Sequence, residues 1–236
     1  MSKIVSSIKK ELRAKGAAEI IASERRFFKE PIKSHGVRSA EVAAIGRKHF
    51  REVKNLGKKE IFALCEELLR SGYNDEAWIA CEWSYNLRKD YVPADFKIFE
   101  RWIEEYIDNW AKCDTFCNHT MGAFLVEFPA CVKNLKTVWA RSKNCWLRRA
   151  SAVSLIIPAK RGQFLPDIFD IADILLEDEE DMVQKGYGWL LKVASAAHQK
   201  AVFDYVMQNK KRMPRTALRY AIEKMPVNLK KQVMKK

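Results

Sequence analysis

IDNWAKCD, residues 107–114, returns in outline as SKNCWLRR at 142–149 and DEEDMVQK at 178–185. Each stretch breaks one helical pattern and opens another with an Asn or acidic residue, followed by an aromatic residue or Met. Trp110 to Trp146 is 36 residues, and Trp146 to Met182 is 36 again; backward to Trp78, in SGYNDEAW (71–78), the interval is 32. MPRTALRYA (213–221) continues the series. Such a period, with two helices in each unit, predicts an all-α HEAT-like helical-repeat solenoid over 1–236 as a single domain. An ordinary helical bundle with loops at these intervals is the alternative.

Outward from the breaks, the rhythm stays helical. Ile4, Val5, Ile8 and Leu12 recur at the 3.6-residue spacing of one helix face. SAEVAAIGRKHF (39–50) opens on Ser39 as a candidate cap, and KKEIFALCEELLRSG (58–72) closes on Gly72. Pro93 stands at the start of the pattern carrying Phe96, Phe99, Trp102, Ile103 and Tyr106. No stretch sustains the two-residue alternation of a half-buried strand.

Composition narrows the class. With 48% hydrophobic and 31% charged residues the chain reads as globular and soluble. No apolar run reaches the roughly 18 residues of a membrane span, and MSKIVSSIKKELRAKG reads as an amphipathic helix rather than a secretory signal. The cysteines at 65, 81, 113, 117, 131 and 145 fall inside helical patterns, as expected for reduced thiols in the cytoplasm. His35, His49, His119 and His198 form no metal-binding pattern, so neither a metal nor any other cofactor is expected.

A net charge of +13 and a pI near 9.5 point to a polyanionic partner. A merely solvated basic surface is the bland reading. In a solenoid the second helix of each pair lines a concave face. Basic residues recur near the starts of those helices: Lys112, Arg148 and Arg149, Lys185, then Arg215 and Arg219. Such a row suits a phosphate backbone, gripped with steep salt dependence. Trp78, Trp83, Trp102 and Trp139 are expected in the core, and Trp146 is open to either place. Trp110 and Trp189 share helix faces with Asp114 and Lys185, four residues away, and are expected nearer solvent. Asp114 is the odd member, since a carboxylate repels phosphate. It is either a salt-bridge partner or helix-start acceptor, or part of a site for something cationic. Indole faces attract positive charge, and a carboxylate favours a developing positive sugar carbon. Departure of a cationic alkylated purine from deoxyribose fits both.

NWAKCD (109–114), NCWLRRASAV (144–153) and VQKGYGWLLK (183–192), in that order, together with FFKEPIKSHGVRS (27–39), resemble the HEAT-like bacterial DNA alkylation repair glycosylases. The likeness runs along nearly the whole chain. It implies monofunctional excision of N3- and N7-alkylated purines from double-stranded DNA, without drawing the base into a deep pocket. It implies that Trp110, Asp114 and Trp189 act at the lesioned nucleotide. Arg149 is implied as the backbone contact, with Arg148 in support, and Lys185 and Lys112 are added by position. Phe27 stands where active members of that family can carry Tyr, which keeps the ring and removes a hydroxyl. The partner expected is duplex DNA carrying alkylated purines, met by a monomer and not by a membrane. Two rivals stay open: a repeat protein that binds damaged or branched DNA without excision, and a protein–protein scaffold.

Overall fold

The computed structural model describes residues 2–235, and their regular structure is helical apart from one isolated bridge between Lys33 and Tyr73. The chain divides into two compact units, Met1–Thr120 and Met121–Lys236. Unit one contains α1 (Lys3–Lys15), α2 (Ala18–Arg25), α3 (Ser39–Val53), α4 (Lys58–Leu69), α5 (Asn74–Asn86), α6 (Asp95–Tyr106) and α7 (Trp110–Phe116). Unit two contains α8 (Gly122–Glu127), α9 (Val132–Thr137), α10 (Cys145–Val153), α11 (Ile156–Lys160) and α12 (Leu165–Ile174). It continues with α13 (Asp181–Ala194), α14 (Gln199–Asn209), α15 (Arg215–Ala221) and α16 (Val227–Met234).

The repeat is visible in the helix starts. α3, α5, α7, α10, α13 and α15 begin at residues 39, 74, 110, 145, 181 and 215, in steps of 34 to 36. In unit one α1, α3, α5 and α7 pack in succession, with α4 against α5; in unit two α13 lies between α10 and α15. This is the helical-repeat arrangement the sequence predicts. Two of the breaks carry caps: the Asn109 side chain accepts from the Lys112 N–H at 3.1 Å, and Asn144 accepts from the Trp146 N–H at 2.8 Å. Each such cap contributes about 1 kcal/mol. Ser39 is not one of them; it is the first helical residue of α3, and Arg38 takes the cap position. Gly72 closes the turn after α4 with φ of 78°, a conformation costly for any residue with a Cβ.

Aromatic packing holds unit one. Phe62, Phe99, Trp102 and Phe116 meet at centroid distances of 5.4 to 6.0 Å, joining α4, α6 and α7. At the edge of that cluster Glu66 accepts from the two terminal guanidinium nitrogens of Arg101, at 2.8 and 2.6 Å, the Trp102 indole N–H at 3.2 Å and the Tyr106 hydroxyl at 3.1 Å. Trp83, Trp102 and Trp139 are core residues as expected, whereas Trp78 is only half-buried. In unit two, Gly186 and Gly188 on α13 let its neighbours approach. A Cβ at 186 would lie 3.3 Å from the Arg149 side chain, and one at 188 would lie 2.8 Å from the Ala217 carbonyl oxygen. The cysteines are free thiols; Cys65, Cys81, Cys113 and Cys117 are buried, and Cys131 and Cys145 partly so. Burial pushes the Cys65 and Cys81 thiols well up, which keeps them protonated and unreactive.

Candidate functional site

In unit one the candidate residues gather around the start of α7. Trp110 is its first residue, and the Asn109 cap fixes the direction in which the helix leaves the break. Trp110 is half-buried and held on two sides. Its indole N–H donates to the Phe27 carbonyl at 3.2 Å, and the Phe28 ring stacks on it with centroids 5.1 Å apart and planes at 17°. Phe27 itself points outward and is 71% exposed. Asp114 lies one turn further along α7, half-buried and on the helix face that Trp110 occupies.

The loop that reaches Trp110 is itself pinned. Asp75, in the first turn of α5, accepts from the backbone N–H groups of His35 (2.7 Å) and Val37 (3.4 Å) and from the Ser34 hydroxyl (3.2 Å). His35 pairs with Glu76 at 2.8 Å and stacks on Tyr73 with centroids 4.1 Å apart. Burial alone would raise the Glu76 carboxyl, but hydrogen bonds from His35 and Ser71 and the nearby Lys9 charge hold it below the ordinary range. Beside this latch a cavity of about 270 Å3 opens between α3, α5 and α7, lined by Trp78, Cys81, Lys112 and Thr115 among others. Trp78, half-buried rather than in the core, forms part of its wall.

Three members of the basic row, Lys112, Arg148 and Arg149, depart from their expected place. Lys112 is 3% exposed, and its ammonium donates to the Gly72 carbonyl at 2.8 Å and pairs with Asp108 at 2.9 Å. It ties α7 to the turn after α4 instead of facing solvent. In unit two Arg148 is also committed: it binds Asp178 at 2.6 and 3.3 Å and the Ser142 and Lys143 carbonyls at 2.9 and 3.1 Å. Arg149, 4% exposed, donates to the Met182 carbonyl and so fastens α10 to the first turn of α13. Lys185 pairs with Asp181 at 2.8 Å and keeps about a third of its surface. Trp189 follows one turn later on α13, half-buried.

Phe28 and Asn109 escaped the sequence reading as parts of this arrangement. Asn109 had a usable signal, an Asn directly before the Trp of a repeat break. Phe28 had none, because its partner lies far along the chain.

A family model described as DNA alkylation repair enzyme matches residues 8–225. The chain belongs to the DNA alkylation repair enzyme family. A solved structure titled as a predicted DNA alkylation repair enzyme from Enterococcus faecalis matches with a TM-score of 0.81 and 14% sequence identity. The match covers 90% of this chain and 98% of that one. At that identity the likeness establishes the shared fold. No curated protein matches the chain. The family match runs through both units and includes all the candidate residues named above, so repair of alkylated DNA is supported at family level. Among the described residues, no helix is long and apolar enough to cross a membrane, and no group of His, Cys, Asp and Glu is arranged to hold a metal ion.

Proposed function

We propose that the protein is a monofunctional DNA glycosylase. It hydrolyses the N-glycosidic bond of cationic N3- or N7-alkylated purines in duplex DNA and leaves an abasic site. The observation that carries this reading is the Trp110–Asp114 arrangement in a chain of this family. An indole is locked by Phe28 and the Phe27 carbonyl, with a carboxylate one turn away on the same face of α7.

The chemistry follows from the charge on the lesion. An alkylated purine carries a positive charge and leaves as a neutral base, so no strong acid is needed to protonate it. Positive charge then grows on the sugar at C1′. The Asp114 carboxylate stabilises that charge and orients the water that replaces the base. Trp110 offers its indole face to the cationic nucleotide, an attraction of about 0.5 to 2 kcal/mol. Trp189 is assigned the second indole contact. Lys185, one turn before Trp189, meets a backbone phosphate, and Arg149 adds charge from beneath the first turn of α13. Lys112 and Arg148 act by holding the helix starts. Phe27, with its exposed ring, meets the DNA beside Trp110. The reading invokes no Schiff-base lysine, and the reaction as written needs no cofactor. The reading takes the protein to work as a cytoplasmic monomer on duplex DNA.

The test is release of free base from a duplex carrying one 7-methylguanine, under single turnover. Wild type is expected to release it, and Asp114→Asn, compared per mole of folded protein, to do so about 100-fold more slowly. Near-normal excision by the variant would refute the role of Asp114. Duplex binding by wild type without base release would refute the glycosylase reading and leave a binding protein.

A further inference from the structure

In unit two, α13 and α15 approach closely at Gly188, and a surface depression of about 490 Å3 opens beside their contact. Its walls are Lys185 from α13, then Arg215, Thr216, Arg219 and Tyr220 from α15, and Glu223 just beyond. Arg215 and Arg219 are four residues apart, so both stand on one face of α15, and both are exposed. Among the described residues neither enters an ion pair or a side-chain hydrogen bond. Their neighbours in the unit differ. Arg148 is spent on Asp178, Arg149 on the Met182 carbonyl, and Arg212 on Glu177 at 3.2 Å. The one carboxylate on the wall is drawn off by two lysines, since Glu223 pairs with Lys192 at 2.9 Å and Lys224 at 3.4 Å.

Two exposed arginines on a late helix are ordinary when they stand on a convex surface. Here they share a concave site with a cation from a second helix and with two hydroxyls, and that helix carries Trp189 one turn on. Unpaired guanidinium forks facing a hollow lined by further donors match the oxygens of a single phosphate group.

We propose that this depression seats one backbone phosphate of the duplex and grips damaged and undamaged DNA alike. The proposal rests on the reading of the protein as one that acts on duplex DNA. Its consequence is a division of labour: the Arg215–Arg219 hollow supplies affinity, and the α7 site supplies discrimination.

The test measures the affinity of the full chain for a labelled undamaged duplex and for the same duplex with one 7-methylguanine, across a salt series. The double variant R215Q/R219Q is expected to bind both duplexes about 10-fold more weakly at moderate salt. The slope of log affinity against log salt should flatten by about 0.9, the value of one phosphate contact. The ratio between the two duplexes should stay as in wild type. Glu223→Gln, which removes the wall carboxylate and frees Lys192, should tighten binding several-fold, a gain that misfolding cannot imitate. If wild type binds with a steep slope and the double variant keeps that slope, the phosphate seat is refuted and the wider reading stands. A loss confined to the damaged duplex would refute it as well. If wild type shows no salt-dependent duplex binding, the DNA reading itself fails and the seat falls with it.

Discussion

Trp110 shows how a single side chain is aimed. An indole at the first position of a short helix has few neighbours of its own, and here a loop distant in sequence supplies one ring and one carbonyl oxygen. Phe28 is therefore a positioning residue. Phe28→Ala is expected to slow single-turnover excision about 10-fold with undamaged-duplex affinity unchanged, and Phe28→Leu to recover part of the loss. Equal rates in wild type and Phe28→Ala would end this assignment. The sequence could show that Trp110 and Asp114 share a face, because that depends only on helical spacing. It could not show what Lys112 and Arg148 do. Their acceptors, the Gly72 carbonyl and Asp178, lie 40 and 30 residues away, and only packing brings them near. Charge is legible in a sequence, whereas exposure depends on such distant partners.

Helix pairs are where stability concentrates. Glu66 joins α4 to α6, and the Arg101 guanidinium, ahead of the Trp102 and Tyr106 hydrogen bonds, holds its carboxyl at about 2, well below the usual value. A depressed carboxyl stabilises the fold fully above the unfolded value near 4.5 and loses that contribution as pH falls toward 2. Glu66→Gln is thus expected to destabilise the protein by on the order of 2 kcal/mol at neutral pH. Urea titrations should show the gap between variant and wild type closing between pH 4.5 and 2. The α13–α15 contact makes a second case. Gly188→Ala places a methyl group 2.8 Å from the Ala217 backbone oxygen, which cannot swing aside as a side chain could. A loss of about 1 to 3 kcal/mol in chemical denaturation is expected, whereas Ala for Gly in an open helix would stabilise. Helix starts were legible to within a few residues because Asn109 and Asn144 cap two of them. Ser39 misled because a good capping residue also tolerates the first helical position, and backbone geometry gave the cap to Arg38.

At the scale of the whole chain, the regular spacing of helix starts is what made the fold readable. Each helix packs chiefly on its near neighbours in sequence, and the last helix contributes little. α16 buries only Val233 and is held partly by Lys210, whose ammonium donates to the Lys235 carbonyl at 2.8 Å. Truncation before Val227 is expected to lower the melting temperature by only a few degrees and to leave the helical circular dichroism otherwise intact. A single hydrogen bond works over a longer range: the Trp110 N–H reaches the Phe27 carbonyl across 83 positions of chain. Its acceptor belongs to the main chain, so any side chain at position 27 preserves it. Drift at that position changes what the loop shows to a ligand and leaves the indole where it was. Side-chain replacements at position 27 can therefore alter that exposed surface while the contact that aims Trp110 stays in place.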